Sequence, residues 1–255
     1  MISLTTGLTG VLGLAFVVLF ALLMIVLRVV KQPRPGRDLR PLQAFTHLRY
    51  AVNLTVESGK RLHISVGRGE ITHPRAASAL AGLSAAHKMI ELSAASDRPA
   101  VVTAGTGPLG ILARSTLHSA YHTAGHAGRY KAIYGQVSGL TPFSYAAGAA
   151  FTAGAEDVAV NFLAGSFGPE VALIAENGER HQALTVGGSE NIAAQAVLYA
   201  AAEESLIGEE VFASGAYLQA GGLHGTSLLT QDIFRWLLVV VILGGALAKL
   251  VGVLP

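Results

Sequence analysis

The sequence contains no cysteine, which excludes disulfide bonds and cysteine-ligated zinc sites and is compatible with a reducing compartment. Charged residues are also scarce: they make up 13% of the 255 residues, about half the share found in typical soluble domains. Hydrophobic residues account for 51%, and the mean hydropathy is +0.50. This balance indicates segments that cross a membrane.

Two apolar runs have the composition of membrane-spanning helices. Residues 8–27 carry no charge over a length that crosses about 30 Å of hydrocarbon. No basic region and no small-residue cleavage site accompany this run, which argues against a cleaved signal peptide. Residues 237–254 form a shorter run, and its one charge, Lys249, lies close enough to the end to reach the headgroups. We predict transmembrane helices over residues 1–30 and 236–255.

Basic residues indicate the orientation of these helices. Five of them lie between residues 28 and 40, directly after the first run, and none precedes it. The positive-inside rule therefore predicts a multi-pass protein of the cell (inner) membrane, in contact with membrane lipid, with both termini extracytoplasmic and the central domain cytoplasmic. Small residues allow close packing of helices, within one chain or between subunits. The candidates for this packing are Gly10, Gly13, Gly244, Ala248 and Gly252.

The central region alternates between short apolar segments and helical patterns. A basic, proline-rich linker over residues 31–43 precedes it, and a second linker is expected over residues 223–235. Between them, residues 44–222 are predicted to form one cytoplasmic α/β domain with a Rossmann-like, doubly wound, mainly parallel five-stranded sheet. The predicted strands are residues 61–66, 100–104, 132–137, 157–163 and 183–186.

Glycine, serine and threonine follow the predicted strands. In a parallel sheet these turns share the carboxyl edge, where ligands of such folds bind and helix amino termini favour anions. The same residues also have a purely structural use in tight turns and helix caps, so both interpretations stay open. The candidate ligand-binding residues are Gly105, Thr106, Gly107, Ser138, Gly139, Gly165, Ser166, Gly187, Gly188 and Ser189.

The segment from Gly105 to Gly110 matches G-x-G-x-x-G between a strand and a helix, the pattern of dinucleotide-binding turns. Two observations disfavour a dinucleotide. No acidic residue occurs between Asp97 and Glu156 to bind a ribose, and Pro108 removes one N–H from the turn. No phosphate-binding P-loop pattern occurs either, and we expect no cofactor.

Serine and histidine patterns raise two further possibilities. Ser166 stands in a segment that resembles a nucleophile elbow, for which Glu190 and His224 are the available partners, but no oxyanion motif accompanies it. His118 and His122 share a helix face and are weak candidates for a metal site, but solvated histidines near the end of a helix are the favoured explanation. We therefore predict no catalytic residue and no metal, and we lean against an enzyme.

The charges are unevenly divided along the chain. Residues 28–131 contain fifteen basic and five acidic residues, whereas residues 132–232 contain one basic and eleven acidic residues. This division could steer identical subunits head to tail into a homo-oligomer, or the two halves could pair within one domain. Nucleic acid is disfavoured as a partner, because the basic half lacks interleaved aromatic residues and the acidic half repels phosphate.

The runs FGPEVALIAE and LIGEE, together with RPLQAFTHLRYAV and TPFSYAAG, resemble an uncharacterised bacterial membrane-protein family catalogued as a domain of unknown function. The resemblance covers nearly the whole chain. It implies an amino-terminal anchor, a cytoplasmic α/β domain and a carboxyl-terminal span. It supplies no catalytic residues.

Two functional hypotheses follow from these observations. The leading one is a membrane-anchored, non-catalytic scaffold or assembly component that forms homo-oligomers. The alternative is a sensor or enzyme that binds an anionic metabolite or nucleotide at the glycine-rich turns.

Overall fold

A computed structural model describes residues 2–30, 39–73, 76–155 and 157–250. The chain divides into two compact units. One contains the helices near the two ends of the chain, and the other comprises Arg40–Ala220. Each unit is described by itself below.

The helical unit consists of α1 (Ile2–Val30) and α9 (Gly222–Leu250). Both helices are long and apolar enough to cross a membrane. Residues 223–235, which we expected to be a linker, instead form the first part of α9. This segment contains one glycine and no proline, so nothing in it stops a helix.

Aromatic rings join the two helices. The ring centroid of Phe234 on α9 lies 4.9 Å from that of Phe16 and 5.6 Å from that of Phe20 on α1. Three of the small residues have no close neighbour. A side-chain carbon added at Gly10, Gly13 or Gly244 would meet no atom within 4 Å, whereas Ala248 is partly exposed and Gly252 lies outside the described residues. The contact between α1 and α9 is therefore made by phenylalanine rings. Close packing of the two helices at these three glycines, which is one prediction from the sequence, is not seen within the chain.

Six parallel strands form the sheet of the α/β unit, in the order β3-β2-β1-β4-β5-β6. The doubly wound, Rossmann-like arrangement is confirmed, but the expected number of five strands is wrong. The sixth strand was missed because it is three residues long and begins with a glutamate, so no apolar run marks it. The strands are β1 (Arg61–Gly67), β2 (Val101–Ala104), β3 (Gly135–Val137), β4 (Val158–Ser166), β5 (Leu184–Gly188) and β6 (Glu204–Leu206).

Helices cover both faces of this sheet. Part of one predicted strand is helical, since Ala132–Tyr134 forms a 3-10 turn before β3 begins. Further 3-10 turns cover Ala127–Arg129 and Pro169–Val171. The helices are α2 (Gln43–Glu57), α3 (Ala76–Ser93), α4 (Gly107–Thr123), α5 (Pro142–Ala155), α6 (Ala172–Arg180), α7 (Ile192–Ala201) and α8 (Glu210–Tyr217).

The core lies in two layers, one on each face of the sheet. Leu62, Ile64 and Val66 of β1 belong to the layer that α2, α3, α4 and α8 cover. The opposite layer is built from α5, α6 and α7, with Tyr145 and Ile174 fully buried in it. Alternate residues of β1 point to opposite faces, so His63 and Ser65 lie in this second, more polar layer.

Ion pairs connect the basic and acidic parts of the sequence inside the α/β unit. His47 Nδ1 lies 2.6 Å from Glu204 Oε1, and Asp157 carboxylate oxygens lie 3.8 Å from Lys60 Nζ and 3.9 Å from an Arg98 guanidinium nitrogen. These contacts support the interpretation in which the two halves of the sequence pair within one domain. Exposed pairs of this kind contribute little stability, about 0–1 kcal/mol each.

Candidate functional site

A cavity of about 390 Å³ lies at the carboxyl ends of β1 and β4. These neighbouring strands mark the point where the strand order reverses, because β2 and β3 extend the sheet on one side of β1, and β4, β5 and β6 on the other. Ligands of doubly wound folds bind at this point. The lining residues are Arg68, Gly69, Glu70, His73, Pro142, Ser166, Phe167, Gly168, Glu170, Glu190 and Asn191.

Two glycines allow the ends of β1 and β4 to approach closely. A side-chain carbon on Gly67 would lie 2.2 Å from the carbonyl oxygen of Ser166, and one on Gly165 would lie 2.1 Å from that of Val66. Gly67 also has a φ of 74°, which disfavours any residue with a side chain. The N–H of Arg68 donates to the carbonyl oxygen of Ser166 at 2.8 Å. The close approach therefore sets Arg68 beside Ser166 at the cavity.

The Arg68 side chain crosses the turn after β2. A side-chain carbon on Gly105 would lie 2.1 Å from Arg68 Cγ, so this glycine leaves room for the arginine. A guanidinium nitrogen of Arg68 donates to the carbonyl oxygen of Leu140 at 2.7 Å. Arg68 Nε is buried and has no hydrogen-bond partner among the described residues. The arginine is thus held in place while one of its donors remains unused.

Three glutamates line the same cavity. Ser166 Oγ donates to Glu190 Oε1 at 2.7 Å, and within the described part of the chain the other oxygen, Oε2, is buried without a partner. Glu170 is 9% exposed and accepts a hydrogen bond from the N–H of Gly168 at 3.1 Å. Glu70 is the third. With Arg68 as the counter-charge, the lining carries a net charge of about −2 when its histidine is neutral.

Side chains of the protein itself accept hydrogen bonds from several backbone N–H groups at this edge of the sheet. Asn191 Oδ1 accepts from the N–H of Ala193 at 2.9 Å and caps α7. Ser189 Oγ accepts from the N–H groups of Phe167 and Asn191, and Glu170 accepts from Gly168 just before α6. These four N–H groups are therefore already bonded to oxygen atoms of this chain and are not free to bind an anion.

A tyrosine lies beneath the cavity. The ring of Phe167, which lines the cavity, stacks on Tyr145 with centroids 6.4 Å apart. The Tyr145 hydroxyl contacts Ser65 Oγ and accepts from the N–H of Gly67 at 3.0 Å. Complete burial raises the pKa of Tyr145 to about 12, so the hydroxyl stays protonated near neutral pH. Tyr145 thus ties the end of β1 to α5.

Further polar groups continue from Ser65 along the sheet. Thr103 Oγ1 lies 2.9 Å from Ser65 Oγ and 2.9 Å from His63 Nε2, while His63 Nδ1 lies 2.7 Å from Asn161 Oδ1. Burial lowers the pKa of His63 to about 4. The ring is therefore neutral near pH 7, with one donor and one acceptor nitrogen for these two neighbours. We call the five side chains Asn161, His63, Thr103, Ser65 and Tyr145 the polar chain.

The candidate ligand-binding residues predicted from the sequence all lie at this edge of the sheet, but only Ser166 lines the cavity. Most of the glycines are needed for packing instead. A side-chain carbon at five of them would lie within 3 Å of a neighbouring atom, whereas at Gly107 it would meet none within 4 Å. Thr106 precedes α4, and Ser138 has a buried hydroxyl without a partner among the described residues. The five packed glycines are Gly105, Gly139, Gly165, Gly187 and Gly188.

Sequence reasoning missed most of the charged residues of the cavity. Arg68, Glu70 and His73 stand in the turn VGRGEITHP after β1, and none of them is among the candidates predicted from the sequence. Glu170 directly follows the turn after β4. A charged residue soon after a buried strand is the available signal in the sequence. The strand order is also needed, because it decides which of the turns lie at the cavity.

The two histidine candidates for a metal site both lie on α4. The ring centroids of His118 and His122 lie 6.3 Å apart, and His118 packs edge-on against Tyr130. Within the described ranges, no group of three His, Asp or Glu side chains is arranged to hold a metal ion. His224, once considered as a partner of Ser166, belongs to the helical unit.

Comparison with known proteins identifies a family. Residues 10–254 match the family described as a domain of unknown function, DUF6754, and the chain belongs to this family. No curated protein matches the chain. No solved structure matches it either.

Proposed function

We propose that the α/β unit binds a small polar molecule in the cavity between β1 and β4, and that α1 and α9 hold it at a membrane. The position and size of the cavity carry this proposal. Its volume of about 390 Å³ falls within the range of roughly 300–1,000 Å³ that is usual for small-molecule sites. It also lies where the strand order reverses, the ligand position of doubly wound folds.

Unused polar atoms in the lining support binding over a purely structural role of the turns. Glu190 Oε2 and Arg68 Nε are buried and lack partners in the described part of the chain. Leaving a buried polar group unpaired costs about 1–3 kcal/mol, which is unusual for residues that serve only to fold the chain.

A binding role is favoured over catalysis at this site. The Ser166 hydroxyl donates a hydrogen bond to a carboxylate oxygen of Glu190 at 2.7 Å. A carboxylate is a far weaker base than the alkoxide of serine, so this contact alone does not activate the hydroxyl as a nucleophile. We therefore propose a sensor or binding module, in keeping with the leaning against an enzyme.

The proposed topology places both ends of the chain outside the cytoplasm and the α/β unit inside it, in a bacterial inner membrane. Basic residues after α1 and Arg235 within α9 support this orientation through the positive-inside rule. Because the chain lacks cysteine, a single introduced cysteine is the only thiol that a labelling reagent can modify. Ser115→Cys, on the exposed face of α4, should react with a membrane-impermeant thiol reagent only after the cells are opened. Labelling in intact cells would contradict the orientation.

Ligand binding can be tested on the full chain in lipid nanodiscs, by thermal denaturation with a broad panel of small polar metabolites. We expect at least one compound to raise Tm with a saturable concentration dependence. Ser166→Val, which removes a polar group and adds bulk in the cavity, should abolish that shift. Ser115→Val on the exposed face of α4 is the matched control and should leave it unchanged. A shift that survives Ser166→Val would contradict binding in this cavity.

A second candidate function is self-association as a scaffold. The exposed sides of α5 and α7 carry no charged residue and display four large apolar side chains, each more than 70% exposed. Such uncharged apolar surface is typical of protein interfaces. Light scattering of the solubilised protein should detect an assembly that Phe151→Glu and Tyr199→Glu dissociate, and a monomer would contradict it. The four side chains are Phe143, Phe151, Ile192 and Tyr199.

A further inference from the structure

We propose that the ligand of the cavity between β1 and β4 is a zwitterion of amino-acid size, with its ammonium group at Glu190 and its carboxylate at Arg68. This inference rests on the proposed function, because it names the chemical class of the molecule that the cavity binds.

The charge of the lining disfavours an anion. Three carboxylates, those of Glu70, Glu170 and Glu190, face one guanidinium in a cavity that is partly closed to water. A phosphate entering there would meet like charges, and like charges at short range repel strongly where water is excluded. The N–H of Gly168 does not compensate, because Glu170 already accepts from it. A positively charged group in the ligand offsets this negative charge.

Glu190 is the strongest acceptor available to such a group. Its Oε1 is held by Ser166 at 2.7 Å, which orients the carboxylate and leaves Oε2 without a donor among the described residues. An ammonium group carries three donors and a full positive charge, so at this carboxylate it donates hydrogen bonds and compensates the negative charge together.

An organic cation fits these residues better than a metal ion. In the part of the chain that the structure describes, no three His, Asp or Glu side chains converge as metal ligands. Calcium and magnesium need about six oxygen ligands in close array. The carboxylates of the cavity are instead separately engaged, Glu170 with a backbone N–H and Glu190 with a hydroxyl.

Arg68 accounts for the second charge of the ligand. Its side chain is fixed over Gly105 and by its bond to the carbonyl oxygen of Leu140, so it cannot turn freely to neutralise the glutamates. The residue lines the cavity. A ligand carboxylate beside the guanidinium balances the arginine charge, while the ammonium group balances Glu190. A molecule with both groups matches the cavity at both ends.

The test uses the full chain in nanodiscs of neutral lipid, with thermal denaturation as the readout. The probes are the proteinogenic L-amino acids, their N-acetyl derivatives without the ammonium charge and their amides without the carboxylate. Inorganic phosphate, AMP and glucose serve as anionic and neutral probes. We expect at least one amino acid to raise Tm, its N-acetyl derivative to have no effect, and its amide to bind more weakly.

Variants assign the two ends of the ligand. Glu190→Gln keeps the acceptor for Ser166 and should weaken binding of the amino acid about ten- to a hundredfold, the usual size of a charged hydrogen bond. Glu179→Gln, the same change on the exposed side of α6, should leave affinity unchanged. Arg68→Gln should weaken binding of the amino acid but not of its amide, with Arg49→Gln on α2 as the matched control. The Tm of each variant without ligand checks that it folds.

The other outcomes separate this inference from the proposed function. If phosphate, AMP or glucose raises Tm, no amino acid does, and Ser166→Val abolishes the effect, the cavity binds a ligand of another class and only the zwitterion inference fails. A shift that both Ser166→Val and Glu190→Gln leave intact places binding elsewhere and overturns both proposals. If no amino acid raises Tm, the zwitterion inference is overturned, and the wider metabolite panel decides the proposed function.

Discussion

The turn after β1 and the turn after β2 both contain glycine and lie at the same edge of the sheet, but they differ in what they contribute. The turn after β2 carries the G-x-G-x-x-G pattern, yet its first glycine accommodates Arg68 and its third packs against Val137. The turn after β1 carries no such pattern, yet it supplies Arg68, Glu70 and His73 to the cavity.

The difference arises from strand order. β1 is the neighbour of β4, so the turn after β1 opens at the reversal point, whereas β2 is enclosed between β1 and β3. A sequence pattern in a turn therefore has a functional meaning only at the right position in the sheet. The predictions below test this contrast, beginning with the largest expected effect.

Gly67→Ala should destabilise the α/β unit by about 3 kcal/mol or more. The new methyl group would lie 2.2 Å from a backbone oxygen of Ser166, and the φ of 74° disfavours alanine in any case. Chemical denaturation of the full chain in detergent measures the change. A loss below about 1 kcal/mol would show that the ends of β1 and β4 can separate without much cost.

Stability should fall as the pH is lowered, because His63 is buried in its neutral form beneath the turn after β1. Its folded pKa of about 4 lies below the unfolded value of 6.5, so the unfolded chain binds the proton more readily between these values. Lowering the pH from 7 to 4 should remove on the order of 3 kcal/mol of stability through this residue.

Comparison with His63→Gln isolates that contribution, since glutamine does not titrate. Its free energy of unfolding should depend less on pH between 4 and 6.5 than that of the natural protein. His122→Gln, on the exposed face of α4, should keep the natural dependence. If all three proteins respond alike, His63 does not control acid stability.

Tyr145→Phe should destabilise by about 1–3 kcal/mol, because it leaves the buried N–H of Gly67 without its acceptor. Ligand affinity should fall as well, since the same bond helps to hold the turn that carries Arg68. Denaturation and a binding titration on one preparation measure both effects. Tyr199→Phe on the exposed side of α7 is the control and should alter neither stability nor affinity. If Tyr145→Phe alters neither stability nor ligand affinity, the polar chain is not needed to hold this turn.

Gly107→Ala should be nearly neutral, within about 0.5 kcal/mol, and should leave ligand affinity unchanged. A side chain at this position meets no atom within 4 Å, and the position lies in the first turn of α4, which tolerates alanine. Thermal denaturation and the binding titration check both quantities. A clear loss of ligand affinity would contradict this prediction and show that the turn after β2 is part of the binding site.

Much of the fold was predictable from local patterns. Residues 8–27 and 237–254 are apolar enough to indicate long helices by composition alone, and β1, β4 and β5 stand out as short apolar segments between turns. The exceptions have physical causes. β6 contains glutamate and is three residues long, so its pairing with β5 rather than its composition makes it a strand. Residues 223–235 extend α9 because nothing in them interrupts a helix.

The cavity was less predictable, because its parts come from separate regions of the chain. The sequence suggested Ser166 and the shared edge of the turns, and it brought Glu190 into view as a partner for that serine. It could not indicate that Glu170 satisfies the N–H of Gly168, or that Arg68 lies over Gly105, since these contacts depend on packing between elements.

The sequence by itself determined the two long apolar helices, the alternation of strands and helices and the absence of cysteine chemistry, because each depends on composition within a short stretch of chain. The tertiary structure alone decided that β1 and β4 are neighbours, and with that which of several similar glycine-rich turns meet at the cavity. The physical reason is that strand order follows from which helix faces are buried together across the whole sheet, and no short segment carries that information.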